Sequence, residues 1–104
     1  MALQRIADVD EIAPGSAGAF EVDGRRIAVV HVAADEFYAI DDTCSHAEAS
    51  LAEGRVEGYQ IECPHHGARF DVRDGRFLTL PAVAPVRSHP VIVKEGGIYI
   101  DVDA

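Results

Sequence analysis

The chain has 104 residues, 48% of them hydrophobic, which suffices for one small domain with its own core. Its 18 acidic and nine basic residues give a formal net charge of −9, which argues against nucleic acid or an anionic membrane surface as a partner. Two cysteines are too few for a disulfide-stapled scaffold, and neither a membrane-spanning run nor a signal peptide is evident, so we expect a soluble, cytoplasmic protein.

The predicted elements are almost all short strands separated by turns. The first part of the chain contains a weak helical turn around Asp8 to Ile12. Strands are predicted over residues 19–22, 25–32, 37–41, 91–93 and 98–102, and alternating segments over residues 59–63 and 68–72. Asp23-Gly24 and Glu95-Gly96-Gly97 are hairpin signals between such runs. A period of two with frequent turns predicts an all-β antiparallel sandwich or barrel.

Charge and metal-binding residue types are unevenly distributed. Residues 43–81 hold both cysteines and three of the five histidines, with six acids and four bases. The rest of the chain carries twelve acids and five bases. This predicts a nearly neutral, metal-bearing lobe inserted into an acidic β base.

The first candidate ligand pair is Cys44 and His46. Side chains at i and i+2 of an extended chain point to the same side, so both can reach one metal centre. Sixteen residues (47–62) with turn signals at Glu53-Gly54 and Glu57-Gly58 lead to the second group.

The second group is Cys63-Pro64-His65-His66. Pro64 suits the second position of a β-turn, which would bring Cys63 and His66 close together. His65 stands at i+2 from Cys63 and repeats the spacing of the first pair. Spacing alone therefore leaves the choice between the two histidines open.

Two thiolates and two imidazoles fit three chemistries. Structural zinc accepts any two-plus-two mixture of these ligands. A [2Fe–2S] cluster can take thiolates on one iron and imidazoles on the other, which suits loops that each supply one Cys and one His. The third alternative is a Cys44–Cys63 disulfide with incidental histidines.

The segments C-S-H-A-E-A-S-L (44–51) and C-P-H-H-G-A-R-F-D (63–71) resemble the two cluster-binding boxes of Rieske proteins, C-x-H and C-x-x-H-G. Over essentially its whole length the chain is similar to the small Rieske ferredoxins of bacterial multicomponent dioxygenases. Leu51, Gly54, the proline stretch 80–85 and the closing I-Y-I-D-V segment all fit that family.

The resemblance implies a Rieske-like fold for the single domain 1–104. The β base would comprise roughly residues 1–42 and 82–104, and the cluster-binding lobe roughly 43–81. It implies one [2Fe–2S] cluster, with Cys44 and Cys63 on one iron and His46 and His66 on the other. His66 is selected because the family places its ligand directly before the glycine, here Gly67, which leaves His65 pointing outward.

The implied function is electron transfer rather than catalysis. A flavin-dependent NAD(P)H reductase would supply electrons, and a terminal (di)oxygenase of aromatic catabolism would receive them through transient docking by a monomer. The alternative is a small Rieske-like subunit of a nitrite reductase or another redox complex, with a structural or binding role.

The resemblance also points to a low reduction potential. High-potential Rieske proteins place Ser and Tyr hydroxyls two and four positions after the His ligand, where this chain has Ala68 and Phe70. Neither side chain can donate a hydrogen bond to sulfur, so the reduced cluster gains less stabilisation.

The other histidines and the tyrosines have simpler interpretations. His31 and His89 are expected to be surface or locally hydrogen-bonded residues. Tyr38, Tyr59 and Tyr99 are expected to pack with a solvated hydroxyl, and Pro81 to shape a loop over the metal centre.

Overall fold

The computed structural model describes residues 3–33, 36–43, 49–64, 67–78 and 85–101. The strands are β1 (Leu3–Asp8), β2 (Ser16–Val22), β3 (Arg25–Ala33), β4 (Glu36–Asp41), β5 (Arg55–Glu57), β6 (Gln60–Glu62), β7 (Arg69–Asp71), β8 (Ser88–His89), β9 (Val91–Lys94) and β10 (Gly97–Asp101). Two 3₁₀ turns, Val9–Glu11 and Leu51–Glu53, are the helical elements of these residues. The prediction of an all-β antiparallel protein is confirmed.

The strands form three antiparallel sheets. Their strand orders are β1-β10-β9, β2-β3-β4-β8 and β5-β6-β7. All seven strand pairs are antiparallel. The four-stranded sheet lies in the middle and has a hydrophobic core on each face.

Burial along strand β3 shows that the middle sheet is covered on both faces. Its residues 27–30 are all fully buried, without the alternation of a strand that has one wet face. Ile27 and Val29 belong to a base core with Ala7, Ile12, Val22, Phe37, Ala39, Ile98 and Ile100. Ala28 and Val30 belong to a lobe core with Ile40, Ala49, Leu51, Ile61, Cys63, Ala68, Phe70, Val72 and Val86.

Both predicted hairpin turns are present. Asp23 and Gly24 have φ of 50° and 80°, and the register pairs Val22 with Arg25. Glu95 and Gly96 have φ of 51° and 73° between strands β9 and β10. Positive φ at both central residues is the type I′ geometry, whose twist matches that of the flanking strands.

The sequence pattern missed three strands. β5 and β8 have only three and two residues, too few to show a period. In β1 only Ala7 is buried, so hydrophobic alternation is not visible there. The predicted helical turn near Asp8 is the 3₁₀ turn Val9–Glu11.

No helix in the described part of the chain is long and apolar enough to cross a membrane.

Candidate metal centre

The structure describes one of the four predicted ligands, Cys63. Cys44, His46 and His66 lie outside the described residues, as do His65 and Pro81. Within the described residues alone, no three His, Cys, Asp or Glu side chains come together as a metal site. The described part of the site therefore consists of Cys63 and of the residues that anchor the ends of the segments carrying the other predicted ligands.

Cys63 is held in place by its strand and by the turn that follows. It comes directly after β6 and is 1% exposed. Its backbone N–H donates to the carbonyl of Ala68 over 2.7 Å, which joins the chain on either side of residues 65 and 66. Gly67 has φ of +71°, a left-handed conformation that only glycine adopts without steric cost. Gly67 is therefore required by the backbone conformation at its own position, independently of any ligand.

The first ligand segment is closed at its base by the end of strand β4. Thr43 and Ser50 form an isolated antiparallel bridge on either side of residues 44–48. The N–H of Leu51 donates to the carbonyl of Asp42 over 2.7 Å. Leu51 then enters the lobe core with 0% exposure. The residues before and after the segment that carries Cys44 and His46 are therefore paired with each other at the end of strand β4.

The segment 79–84 is anchored at one end to strand β7 and at the other end to the turn that follows β7. The N–H of Leu78 donates to the carbonyl of Arg69, and the N–H of Val86 donates to the carbonyl of Gly75. A β-carbon at position 75 would overlap the Val86 carbonyl oxygen, so this close approach requires a glycine.

These anchors converge on one part of the molecule. Ala49, Cys63, Ala68 and Val86 each adjoin one of the three segments, and all four are buried in the lobe core. Cys63 therefore shares one core with residues that adjoin the segments carrying the other predicted ligands. A buried thiol in such surroundings fits a thiolate-bound metal centre, and the predicted ligands Cys44, His46 and His66 would complete the donor set of a [2Fe–2S] cluster.

Ala68 and Phe70 are both 0% exposed and lie in the same core as Cys63. Neither side chain carries a donor group. The positions that hold hydroxyls in high-potential Rieske proteins are thus buried and apolar here.

Ion pairs partly offset the positive charges on and beside the β5-β6-β7 sheet. Nη1 of Arg69 lies 3.6 Å from Oε1 of Glu57, and Nη2 of Arg69 lies 3.8 Å from Oε2 of Glu62. Arg73 donates to both carboxylate oxygens of buried Asp71, over 3.0 and 2.7 Å. These hydrogen bonds lower the pKa of Asp71, although its burial acts in the opposite direction.

Two tyrosines join the lobe to the base through one carboxylate. The hydroxyls of Tyr38 and Tyr59 both donate to Oε2 of Glu36, over 3.1 and 2.9 Å. The pKa of Tyr59 is raised mainly by this hydrogen bond, whereas that of Tyr38 is raised first by burial and then by Glu36. The expectation of solvated hydroxyls missed this contact, since Glu36 and Tyr59 are 23 positions apart.

The two histidines outside the site are hydrogen-bonded, but to residues 19 and 48 positions away, and they are not surface residues. His31 is 6% exposed, its Nδ1–H donates to the Ile12 carbonyl over 2.7 Å, and its ring stacks on Phe37. His89 is 5% exposed, and its Nε2 lies 2.8 Å from Oδ1 of Asp41. Both belong to the base and not to the candidate metal centre.

Comparison with known proteins gives a consistent result. Residues 2–90 match the family model described as the Rieske [2Fe-2S] domain. The chain is 44% identical over 98 residues to a 3-phenylpropionate/cinnamic acid dioxygenase ferredoxin subunit of Photorhabdus laumondii, covering 93% of this chain and 91% of the relative.

Two solved structures are similar over nearly the whole chain. The ferredoxin of carbazole 1,9a-dioxygenase from Nocardioides aromaticivorans is 43% identical, with a TM-score of 0.91, over 96% of this chain and 97% of that one. A chain from a complex of reduced oxygenase and oxidised ferredoxin in carbazole 1,9a-dioxygenase is 37% identical, with a TM-score of 0.87, over 94% and 91%.

Proposed function

Because this chain belongs to the Rieske [2Fe–2S] domain family, we propose that it carries single electrons from a flavin-dependent NAD(P)H reductase to a terminal aromatic-ring (di)oxygenase. The observation that carries this proposal is its near full-length similarity to proteins named as ferredoxin components of aromatic dioxygenase systems. The solved complex of an oxygenase with a similar ferredoxin supports an oxygenase as the electron acceptor.

Family membership settles the cofactor. As predicted, the chain is a Rieske domain with one [2Fe–2S] cluster. When bound, such a cluster takes up and releases one electron. The prediction of an electron-transfer component rather than an enzyme is also confirmed, because the relatives are named as ferredoxin components.

We assign the ligands as Cys44 and Cys63 on one iron and His46 and His66 on the other. The burial of Cys63 beside the ends of the adjoining segments supports this assignment. Gly67, with its positive φ, supports a tight turn directly after His66. His65 has no ligand role in this proposal.

The partner-docking surface is proposed to be the tip of the lobe. Phe77 and Leu78 are each 36% exposed and lead directly into the segment 79–84. Exposed apolar residues beside a redox centre suit the small interfaces of transient electron-transfer complexes. The acidic base would steer a positively charged partner from a distance. Stopped-flow reduction that is independent of ionic strength would contradict this steering.

We further propose a monomeric, cytoplasmic protein with one domain. Its base would comprise roughly residues 1–42 and 82–104, and its lobe roughly residues 43–81. Packing of the β5-β6-β7 sheet on one face of the middle sheet, away from the base core, supports this division.

The experiment has a spectroscopic part and a kinetic part. The purified protein should be red-brown, contain equal amounts of iron and acid-labile sulfide, and give, when reduced, the EPR signal of a His-ligated cluster. It should then accept electrons from a flavoprotein reductase with NAD(P)H and pass them to a Rieske dioxygenase. A colourless protein with one zinc would refute the electron-carrier function, as would a cluster that no reductase reduces.

A further inference from the structure

A buried carboxylate, Asp42, closes the base of the first ligand segment. Its Oδ1 accepts hydrogen bonds from the Ser50 hydroxyl and from the N–H of Ala52, each over 2.9 Å. Its carbonyl accepts the N–H of Leu51 over 2.7 Å. Three consecutive residues after the segment are thus bound to one residue before it. The side chain of Asp42 is only 1% exposed.

The one charged partner of this carboxylate among the described residues is Arg26 on strand β3. The Arg26 Nε donates to Oδ2 of Asp42 over 3.2 Å, and the N–H of Asp42 donates to the Arg26 carbonyl over 3.0 Å. The Arg26 side chain is 57% exposed, so water screens its positive charge far more than it screens the buried carboxylate. The pair therefore leaves a negative charge that is incompletely compensated.

This charge is close along the chain to Cys44, a proposed ligand of the metal centre. Asp42 precedes Cys44 by two positions, so their α-carbons are at most about 7.6 Å apart. Over such a distance, in surroundings of low polarity, a unit charge changes the energy of adding an electron appreciably. A negative carboxylate raises the energy of adding an electron to the cluster, and a positive guanidinium group lowers it.

We propose that Asp42 is the positioning residue of the first ligand segment and that the Asp42–Arg26 pair sets the reduction potential of the centre through its charge. This inference rests on the proposed function, since it requires a bound cluster. Asp42 holds the ends of the segment together, and its charge makes the cluster harder to reduce. Arg26 partly offsets that charge from the solvent side.

The two charges predict shifts of opposite sign. Asp42→Asn keeps an acceptor oxygen for Ser50 and Ala52 but removes the negative charge, so the midpoint potential should rise. Arg26→Gln removes the positive charge, so the potential should fall, by less because the side chain is exposed. The double variant should return toward the wild-type value. A purely structural role for the pair would not give opposite signs.

Glu53→Gln is the matched control. Glu53 lines the same surface cleft as Arg26 and Asp42, but it is exposed. Its removal should raise the potential less than Asp42→Asn does, and 0.5 M salt should abolish the effect. The shift from buried Asp42 should persist in that salt.

The measurement is a spectroelectrochemical titration of the four variants, with iron and sulfide content and EPR measured on the same samples. Shifts of the same sign in Asp42→Asn and Arg26→Gln, or no shift beyond that of Glu53→Gln, would overturn the inference. If Asp42→Asn does not retain its cluster, the direction of the Arg26→Gln shift decides the charge effect. Wild-type protein without an iron–sulfur cluster would instead refute the proposed function.

Discussion

Gly54 lies directly against the backbone carbonyl of Glu62. A β-carbon built at position 54 would overlap that oxygen, although the φ of Gly54, −84°, is one that any residue adopts. Gly54 ends the 3₁₀ turn after the first ligand segment, and Glu62 immediately precedes Cys63. The missing side chain therefore allows the two parts of the chain that carry the proposed ligands to approach each other.

Gly54→Ala should push these two parts of the chain apart. We expect a loss of about 1–3 kcal/mol in the free energy of unfolding, as for other overpacked sites, together with a lower iron content per chain. Denaturant unfolding and iron analysis measure the two effects. Gly58→Ala is the control, because position 58 has a positive φ but open space around it. It should cost stability without loss of iron, and equal iron loss in both variants would contradict the role of Gly54.

His65 and His66 should respond differently to replacement by alanine. His66→Ala should lose or rearrange the cluster, because the proposal makes it an iron ligand. His65→Ala should keep the wild-type visible and EPR spectra. Swapped outcomes would reassign the ligand to His65 while leaving the metal centre itself intact.

The reduction potential should lie toward the lower end of the Rieske range of about −150 to +300 mV. Ala68→Ser and Phe70→Tyr each place a hydroxyl in the core that holds Cys63, and a hydrogen bond to a cluster sulfur would raise the potential. Voltammetry of both variants tests this. Phe77→Tyr adds the same hydroxyl at an exposed side chain whose backbone bridges that of Phe70, and it should not shift the reduction potential. A wild-type potential near the top of the range would contradict this interpretation of Ala68 and Phe70.

Asp71 should make the protein sensitive to acid. Because the Arg73 hydrogen bonds lower its pKa in the folded state, its contribution to stability is present above the unfolded value of 3.8 and is lost as pH falls through the folded value. Asp71→Asn should cost about 1–3 kcal/mol at pH 7, and the difference from wild type should shrink at pH 3. Urea unfolding at pH 7, 5 and 3 measures this. Asp74→Asn, at an exposed carboxylate that accepts only a local N–H among the described contacts, should cost less at pH 7.

The contact of Tyr38 and Tyr59 with Glu36 should weaken in alkaline solution. Both tyrosines have a raised pKa, so the stability they contribute is complete below the unfolded value of 10.0 and is lost as pH rises through the folded values. Unfolding midpoints measured from pH 8 to 11 should fall more steeply in wild type than in the double variant Tyr38→Phe/Tyr59→Phe. Glu36→Gln should give an intermediate slope, and identical slopes in all three proteins would contradict the coupling.

Local patterns accounted for the hairpins and for the faces of several strands. Asp23-Gly24 and Glu95-Gly96 predicted their turns because few residue pairs tolerate positive φ at both positions. The alternation around Ile61 and Phe70 predicted the buried apolar side chains, but it did not predict the burial of Asp71. The order of the strands within the sheets did not follow from these patterns, because β1 pairs with β10 across almost the whole chain.

The sequence by itself predicted the all-β fold from its hydrophobic periodicity, and the resemblance of its two Cys–His segments to one family indicated the [2Fe–2S] cluster. Only the tertiary structure decided which acidic residues are buried beside the predicted ligand segments. Asp41 and Asp42 are two neighbouring aspartates, yet the side chain of Asp41 is 38% exposed and that of Asp42 is 1% exposed. Burial depends on which strand or loop packs over a side chain. Such packing between residues far apart in the chain leaves no local signal in the sequence.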